Sequence, residues 1–453
     1  MFFFNKTLFI FLFIFIFFCF LHIYLIIFNF NSNFTFFYGY YFLVNNYYVF
    51  FNNSSLFFLF NFDYFIFPYI YIYLLITVFS VLFCLSYNYN ELFFFFFYCF
   101  LIFFSGISLF YVNSLILFFF FYELLLIPSF FILYRFAKTR RCIEASYLMF
   151  FWTQFGAIFL IFSFFYLFLV CNCSSFDLIR LEVFSQFEIN FFFIFWFIGF
   201  GVKFPIWPFY GWLPKAHVEA STNFSIFLSG VLVKFAFFGF LKCLLVLESE
   251  PTFFFCYPFL IIGILDSVFK LFYQIDLKKL IAFATVVEMH WLTICFISGQ
   301  SVLWISGFCM LVSHALLSTN SFMLLDSISR RFNTRLITEF SGLNFLTPKL
   351  FLASLINLII FLGFPGTIFF ISEFLFFTFS FDLLPFISII LFFLVYLLLP
   401  TFFFRSWFNF LFSSSTSFYK KIPQDLDSRE VLFFSFMIFL LFWLGLTWQV
   451  FLI

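Results

Sequence analysis

The chain has 453 residues, of which 66% are hydrophobic, 30% aromatic and only 9% charged, with a mean hydropathy of +1.17 and a formal net charge of +1. That composition leaves no room for a soluble domain of appreciable size or a broad nucleic-acid surface, and it describes an all-α polytopic membrane protein. Phenylalanine accounts for 106 residues, an excess that fits a T-rich organellar gene, because a lipid-facing surface reads transfer free energy and accepts Phe in place of Leu.

In chain order, the apolar N-terminal run FIFLFIFIFFCFLHIYLIIF has neither a basic flank nor a small-residue cleavage site, so it reads as a span and not as a signal peptide. At about 20 residues per crossing, apolar runs near 8–29, 64–87, 92–112, 114–135, 145–170, 191–213, 222–247, 255–275, 279–299, 302–325, 349–380, 384–405 and 431–451 predict thirteen spans. The run 34–52 carries Gly39, Asn45 and Asn46 among many tyrosines and is either a fourteenth span or an interfacial loop. The basic loops Arg135 to Arg141, Asp276 to Lys279, Ser329 to Arg335 and Tyr419 to Glu430 all fall on one face when the crossings are counted. Loops with Asp177, Glu182 and Glu188, with Glu248 and Glu250, and with Asp382 fall on the other. Short basic loops stay on the side of insertion, which in an organelle is the matrix. The stretch 406–430 holds no span and is expected to lie along that surface.

Ionisable residues inside these spans carry the functional signal. A lysine at the bilayer centre costs about 2.5 to 3.5 kcal/mol by insertion scales, so it needs a partner or a task. Glu123 lies mid-span before Pro128, and Lys203 is followed by Pro205, Pro208 and Pro214, which break its helix. A broken helix at membrane depth needs protein or a watery cavity to satisfy its freed backbone groups. Lys234 has apolar or small residues for at least two turns on either side, too many for its amine to snorkel to the interface. Glu288, His290, His314 and Glu373 follow on later spans, with His217 and Arg405 as secondary candidates. The series of carboxylates, amines and imidazoles on separate helices suits proton exchange. The alternating lysines speak against a metal site, and the ten cysteines, with Cys171 and Cys173 the one close pair, form no zinc or iron–sulfur spacing. No Walker loop, GxGxxG or Ser/His/Asp arrangement is present, so neither nucleotide binding nor nucleophilic catalysis is expected.

A shift of about 170 residues pairs Glu123 with Glu288, Lys203 with Glu373 and Lys234 with Arg405, and both second helices are broken, the later one at Gly363, Pro365 and Gly366. The pattern predicts an internal duplication. The expected organisation is N-terminal helices over 1–112, a first unit over 113–250, a second over 251–405, and a surface connector with a last span over 406–453.

The stretches FYELLLIP (121–128), VKFPIWPFYGWLPKAHVEA (202–220), LSGVLVKFAFFGFLK (228–242), DLKKLIAFATVVEMH (276–290), LVSHALLS (311–318), RFNTRLITEFSGL (331–343) and LGFPGTIFFISEF (362–374) resemble the subunit 4 family of the proton-pumping NADH:ubiquinone oxidoreductase, respiratory complex I. The resemblance implies fourteen helices in two inverted five-helix repeats, a location in the mitochondrial inner membrane, and a half-membrane chain of ionisable groups at Glu123, Lys203, Lys234, His314 and Glu373. It also implies that NADH, FMN, iron–sulfur clusters and ubiquinone belong to other subunits, and that the partners are neighbouring membrane-arm subunits and lipids. Two departures stand out. The family's histidine is replaced by Glu288, with His290 two residues on, and the family's proline and following glycine are replaced by Ser221 and Phe224. Positions 288 and 290 lie about 200° apart on a helix, so only one of them is expected in the path, Glu288 inward and His290 against a neighbouring helix. The competing readings are a stand-alone sodium/proton antiporter, another antiporter-like subunit of the same complex, and a structural subunit whose charges hold helices together.

Overall fold

The computed structural model describes residues 76, 89–136, 139–247, 254–339, 341–383, 385–412 and 424–448. The expected spans 8–29 and 64–87, apart from residue 76, and the uncertain run 34–52 lie outside them. The described helices are α1 (Tyr89–Tyr111), α2 (Leu115–Arg135), α3 (Arg140–Cys171), α4 (Gln186–Lys203), α5 (Trp212–Glu219), α6 (Thr222–Leu247), α7 (Tyr257–Phe272), α8 (Leu277–Ile297), α9 (Ser301–Phe332), α10 (Pro348–Phe361), α11 (Ile368–Leu383), α12 (Pro385–Phe412) and α13 (Ser428–Leu446).

Local chemistry sets several of these boundaries. Ser185 and Glu188 form a reciprocal capping box that opens α4, Asp276 accepts from the Lys278 N–H at 2.9 Å to open α8, and Asp427 with Glu430 opens α13. Ser221, standing where a proline was expected, caps α6 by accepting from the Phe224 N–H, so the departure exchanges one helix-start device for another. α3 and α9 end on Asn172 and Asn333, each in the left-handed conformation that Asn tolerates at a helix end.

Duplication is visible in these elements. α3 and α9 are both 32 residues long and both stop at a left-handed asparagine. An antiparallel bridge, Ser114 with Ser175 in one half and Asp276 with Leu336 in the other, ties the start of the preceding helix to the residues after each. A wide π turn interrupts α6 at Leu228–Leu232 and α12 at Phe393–Leu398. α4 and α5 flank one break, and α10 and α11 flank the other. The expected break in the span 349–380 is present, as two helices with Leu362–Thr367 between them, where Gly363 and Gly366 take positive φ. The stretch expected to lie on the surface after residue 405 is shorter, because α12 stays helical to Phe412.

The two ends of the bundle differ. At one end Leu277 N–H bonds Arg335 O at 3.1 Å, Arg335 pairs with Asp276 at 2.9 Å and reaches Val218 O, and Cys142 donates to Glu219 O. Arg331 binds Glu430, and Asp425 caps the N–H groups of Lys349 and Leu350. All four basic loops thus meet at this end. At the other, Leu115 N–H bonds Ser174 O, Asn113 bonds Asp177, and Lys242 binds the last carbonyls of α1. α2 starts at this acidic end while α8 starts at the basic one, so the second unit is inverted relative to the first. α8 and α9 fill the centre of the bundle and are buried nearly along their whole length. On α3 and α4, Gly156 and Gly199 let the backbones touch, since a Cβ on Gly156 would lie 2.7 Å from the Gly199 carbonyl oxygen.

Candidate functional site

Lys203 is the last residue of α4. Pro205 brings no N–H, and the freed backbone is satisfied locally: Ile206 N–H bonds Gly201 O at 2.8 Å, and the Trp212 indole of α5 bonds Val202 O at 2.8 Å. The Lys203 amine lies 3.0 Å from Glu123 Oε1 and 3.0 Å from the Tyr122 carbonyl, over the Tyr122 ring at 3.5 Å. The other Glu123 oxygen accepts from Gln154 of α3 at 3.1 Å. The structure therefore pairs two of the ionisable residues singled out in the sequence, Lys203 and Glu123, and adds two groups the sequence reading missed. Gln154 was findable, because it is the lone side-chain amide in the 32 residues of α3.

Beside Lys203 lies a cavity of about 30 Å³. Its lining includes Met149, Thr153 and Trp212, with Leu232, Val233 and Ala236 of α6. It has room for about two waters, at roughly 10–15 Å³ for each water centre. Val233, one of its lining residues, is the chain neighbour of Lys234.

Lys234 is 0% exposed. The π turn just before it leaves its amine folded back on the Ser229 carbonyl and 2.5 Å from His314 Nδ1 on α9. When the amine is charged it can only donate, and Nδ1 then accepts with the imidazole proton on Nε2. That nitrogen lies 3.4 Å from Glu288 Oε2 on α8, close enough to pair but without hydrogen-bond alignment. Glu288 points inward, as expected, and His314 stands between its carboxylate and the Lys234 amine. Glu373 on α11 is buried further along, hydrogen-bonded by Tyr396 from the π turn of α12. Gly363 leaves space for it, since a Cβ there would lie 2.5 Å from Glu373 Oε2.

The secondary candidates separate. His290 faces away from the row, accepting from the Trp207 N–H at 2.8 Å and bonding Val286 O at 2.8 Å. His217 is buried and stacked on Phe322, and neither ring nitrogen has a hydrogen-bond partner among the described residues. Arg405 is exposed against the Phe272 ring, far in environment from buried Lys234, its partner under the expected shift.

Residues 112–399 match the model of the transmembrane family "NADH:quinone oxidoreductase/Mrp antiporter". The chain belongs to this family. The matched span runs from the start of α2 into α12 and contains Glu123, Lys203, Lys234, Glu288, His314 and Glu373. Among curated relatives, NADH-ubiquinone oxidoreductase chain 4 of Paramecium tetraurelia is 35% identical over 70% of this chain and 68% of its own length. Chain 4 of Acanthamoeba castellanii is 30% identical over 67% of this chain and 63% of its own length. The chain thus spans about two thirds of these relatives. Among solved structures, a chain of respiratory complex I from Thermus thermophilus superposes with a TM-score of 0.69 at 20% identity, covering 75% of this chain and 73% of that one. A chain of the archaeal membrane-bound sulfane sulfur reductase gives 0.72 at 18%, covering 83% of this chain and 64% of that one. These likenesses fix the family fold of inverted repeats with broken helices.

Proposed function

We propose that this family member is a proton-translocating membrane-arm subunit of NADH:ubiquinone oxidoreductase in the mitochondrial inner membrane, with its basic end in the matrix. NADH oxidation and ubiquinone reduction take place in other subunits, whose flavin and iron–sulfur clusters supply the driving force; neighbouring membrane-arm subunits and lipids are its partners. The observation that carries this reading is the buried row itself: Glu123 with Lys203, the water-sized cavity, then Lys234, His314 and Glu288, and Glu373 beyond. Protons move along such a row in short transfers between groups whose charge states depend on one another. Lys203 is the switch, because it trades a charge-assisted bond to Glu123 for the cavity beside it.

Replacing Lys203 by alanine in the assembled complex is the test: proton pumping should be lost while the complex still assembles. Normal pumping by that variant would overturn the reading. The sodium/proton antiporter alternative is served less well, because a sodium ion needs several oxygen ligands and the centre of this row offers an amine and an imidazole. Substituting potassium for sodium in the pumping assay separates the two.

A further inference from the structure

The turn between α4 and α5 belongs to the first repeat, yet beyond its local bonds it is fastened by residues of the second. Trp207 N–H donates to His290 Nε2 on α8 at 2.8 Å, and His290 Nδ1 donates to Val286 O at 2.8 Å, so both ring nitrogens are committed and the ring is a neutral tautomer. Three residues later the Tyr210 hydroxyl bonds Asp266 on α7, and Lys270 of the same helix donates to Tyr210 Oη at 2.6 Å and to Asp266 at 2.7 Å. The Tyr210 and His290 rings meet edge to face, with centroids 6.1 Å apart. α7 makes room at Gly263, where any Cβ would collide with the His290 ring.

We infer that His290, together with Asp266, Lys270 and Tyr210, forms a clasp through which the second repeat positions the helix break, and with it the Lys203–Glu123 pair. The inference rests on the proton-transfer reading above. Trp207 lies four residues beyond Lys203, and the intervening backbone is tied by the Ile206 N–H bond to Gly201 O. Glu288 and His290 project from nearly opposite sides of α8, one into the charged row and one onto the break. A rotation of α8 that moves Glu288 against His314 therefore also moves the acceptor of the Trp207 N–H. His290 is a positioning residue: with no nitrogen to spare, it holds the turn and carries no proton.

The test compares His290→Leu, which removes the acceptor, with His290→Gln, which offers a carbonyl oxygen in its place, and uses Lys203→Ala as reference, all in the intact complex. Two quantities are read: protons pumped per NADH oxidised, and hydrogen–deuterium exchange of the amides over 204–211. His290→Leu is expected to lower pumping several-fold and to speed exchange over that segment, and His290→Gln to restore most of both. Wild-type pumping and exchange in His290→Leu would overturn the clasp, as would an equal loss in both variants with exchange unchanged, which would make the imidazole a carrier. If His290→Leu does not assemble, Asp266→Asn loosens the clasp from its half-exposed side. It should raise exchange around Tyr210 and lower pumping about twofold, in line with weakening a partly exposed ion pair; no change in either would also overturn the inference. Normal pumping by Lys203→Ala would instead strike the proton-transfer reading, while the exchange data would still judge the clasp.

Discussion

An amine in a low-dielectric interior stays charged only in company, and that rule made much of the site readable. Lys203 and Glu123 stood out because each is a charge in an apolar run, and a broken helix follows the lysine; the 3.0 Å contact is the outcome. The interposition of His314 between Lys234 and Glu288 was not readable, because it depends on how α6, α8 and α9 are rotated about their axes, which apolar neighbours of any kind would allow. Glu288→Gln keeps the shape of the side chain and removes its ionisation. It is expected to slow proton transfer at least about tenfold, equivalent to about 1.4 kcal/mol, in a reconstituted pumping assay; an unchanged rate would remove Glu288 from the row. Gln154→Leu takes away the second hold on Glu123, and a smaller reduction in pumping with normal assembly is expected from the same assay.

Among the described elements, helix existence was legible almost throughout, since runs of apolar residues of bilayer length leave few alternatives. The exceptions are places where the backbone does something a hydropathy pattern does not encode. The break that divides 349–380 into α10 and α11 is marked by Gly363, Pro365 and Gly366, but the π turns in α6 and α12 leave no compositional mark. Contact between α3 and α4 through Gly156 and Gly199 is likewise invisible until the two helices are seen together. Gly156→Leu would force their backbones apart, because a side chain there meets a carbonyl oxygen that cannot rotate away. The expected result is a marked fall in assembled complex on native gels, with Ala intermediate between Gly and Leu.

For the molecule as a whole, the sequence revealed the repeat through its charges but set the correspondence a few residues off. Charges are few, and Arg405 at the surface is not the environmental counterpart of buried Lys234. Helix lengths and end caps give a closer match, with Asn172 and Asn333 ending two helices of 32 residues. The gathering of the basic loops at one end predicts that 135–141 and 329–335 label from the same side in oriented inner-membrane vesicles. Reaction from opposite sides would refute the arrangement.

Under the proposed function, the small cavity between Lys203 and α6 makes the Lys203–Glu123 pair and Lys234 connectable without being permanently connected. A gap that holds about two waters behaves like a fuse: wet, it passes a proton between Lys203 and Lys234; dry, it insulates one from the other, because a bare charge cannot cross an apolar lining. Leakage at rest is then limited by drying of a space smaller than one side chain, with no large moving part required. A single larger residue in the lining, Ala236→Leu, should hold the gap dry, leaving the Lys203–Glu123 pair intact while cutting it off from the rest of the row. Pumping should fall towards that of Lys203→Ala even though no ionisable group has been touched.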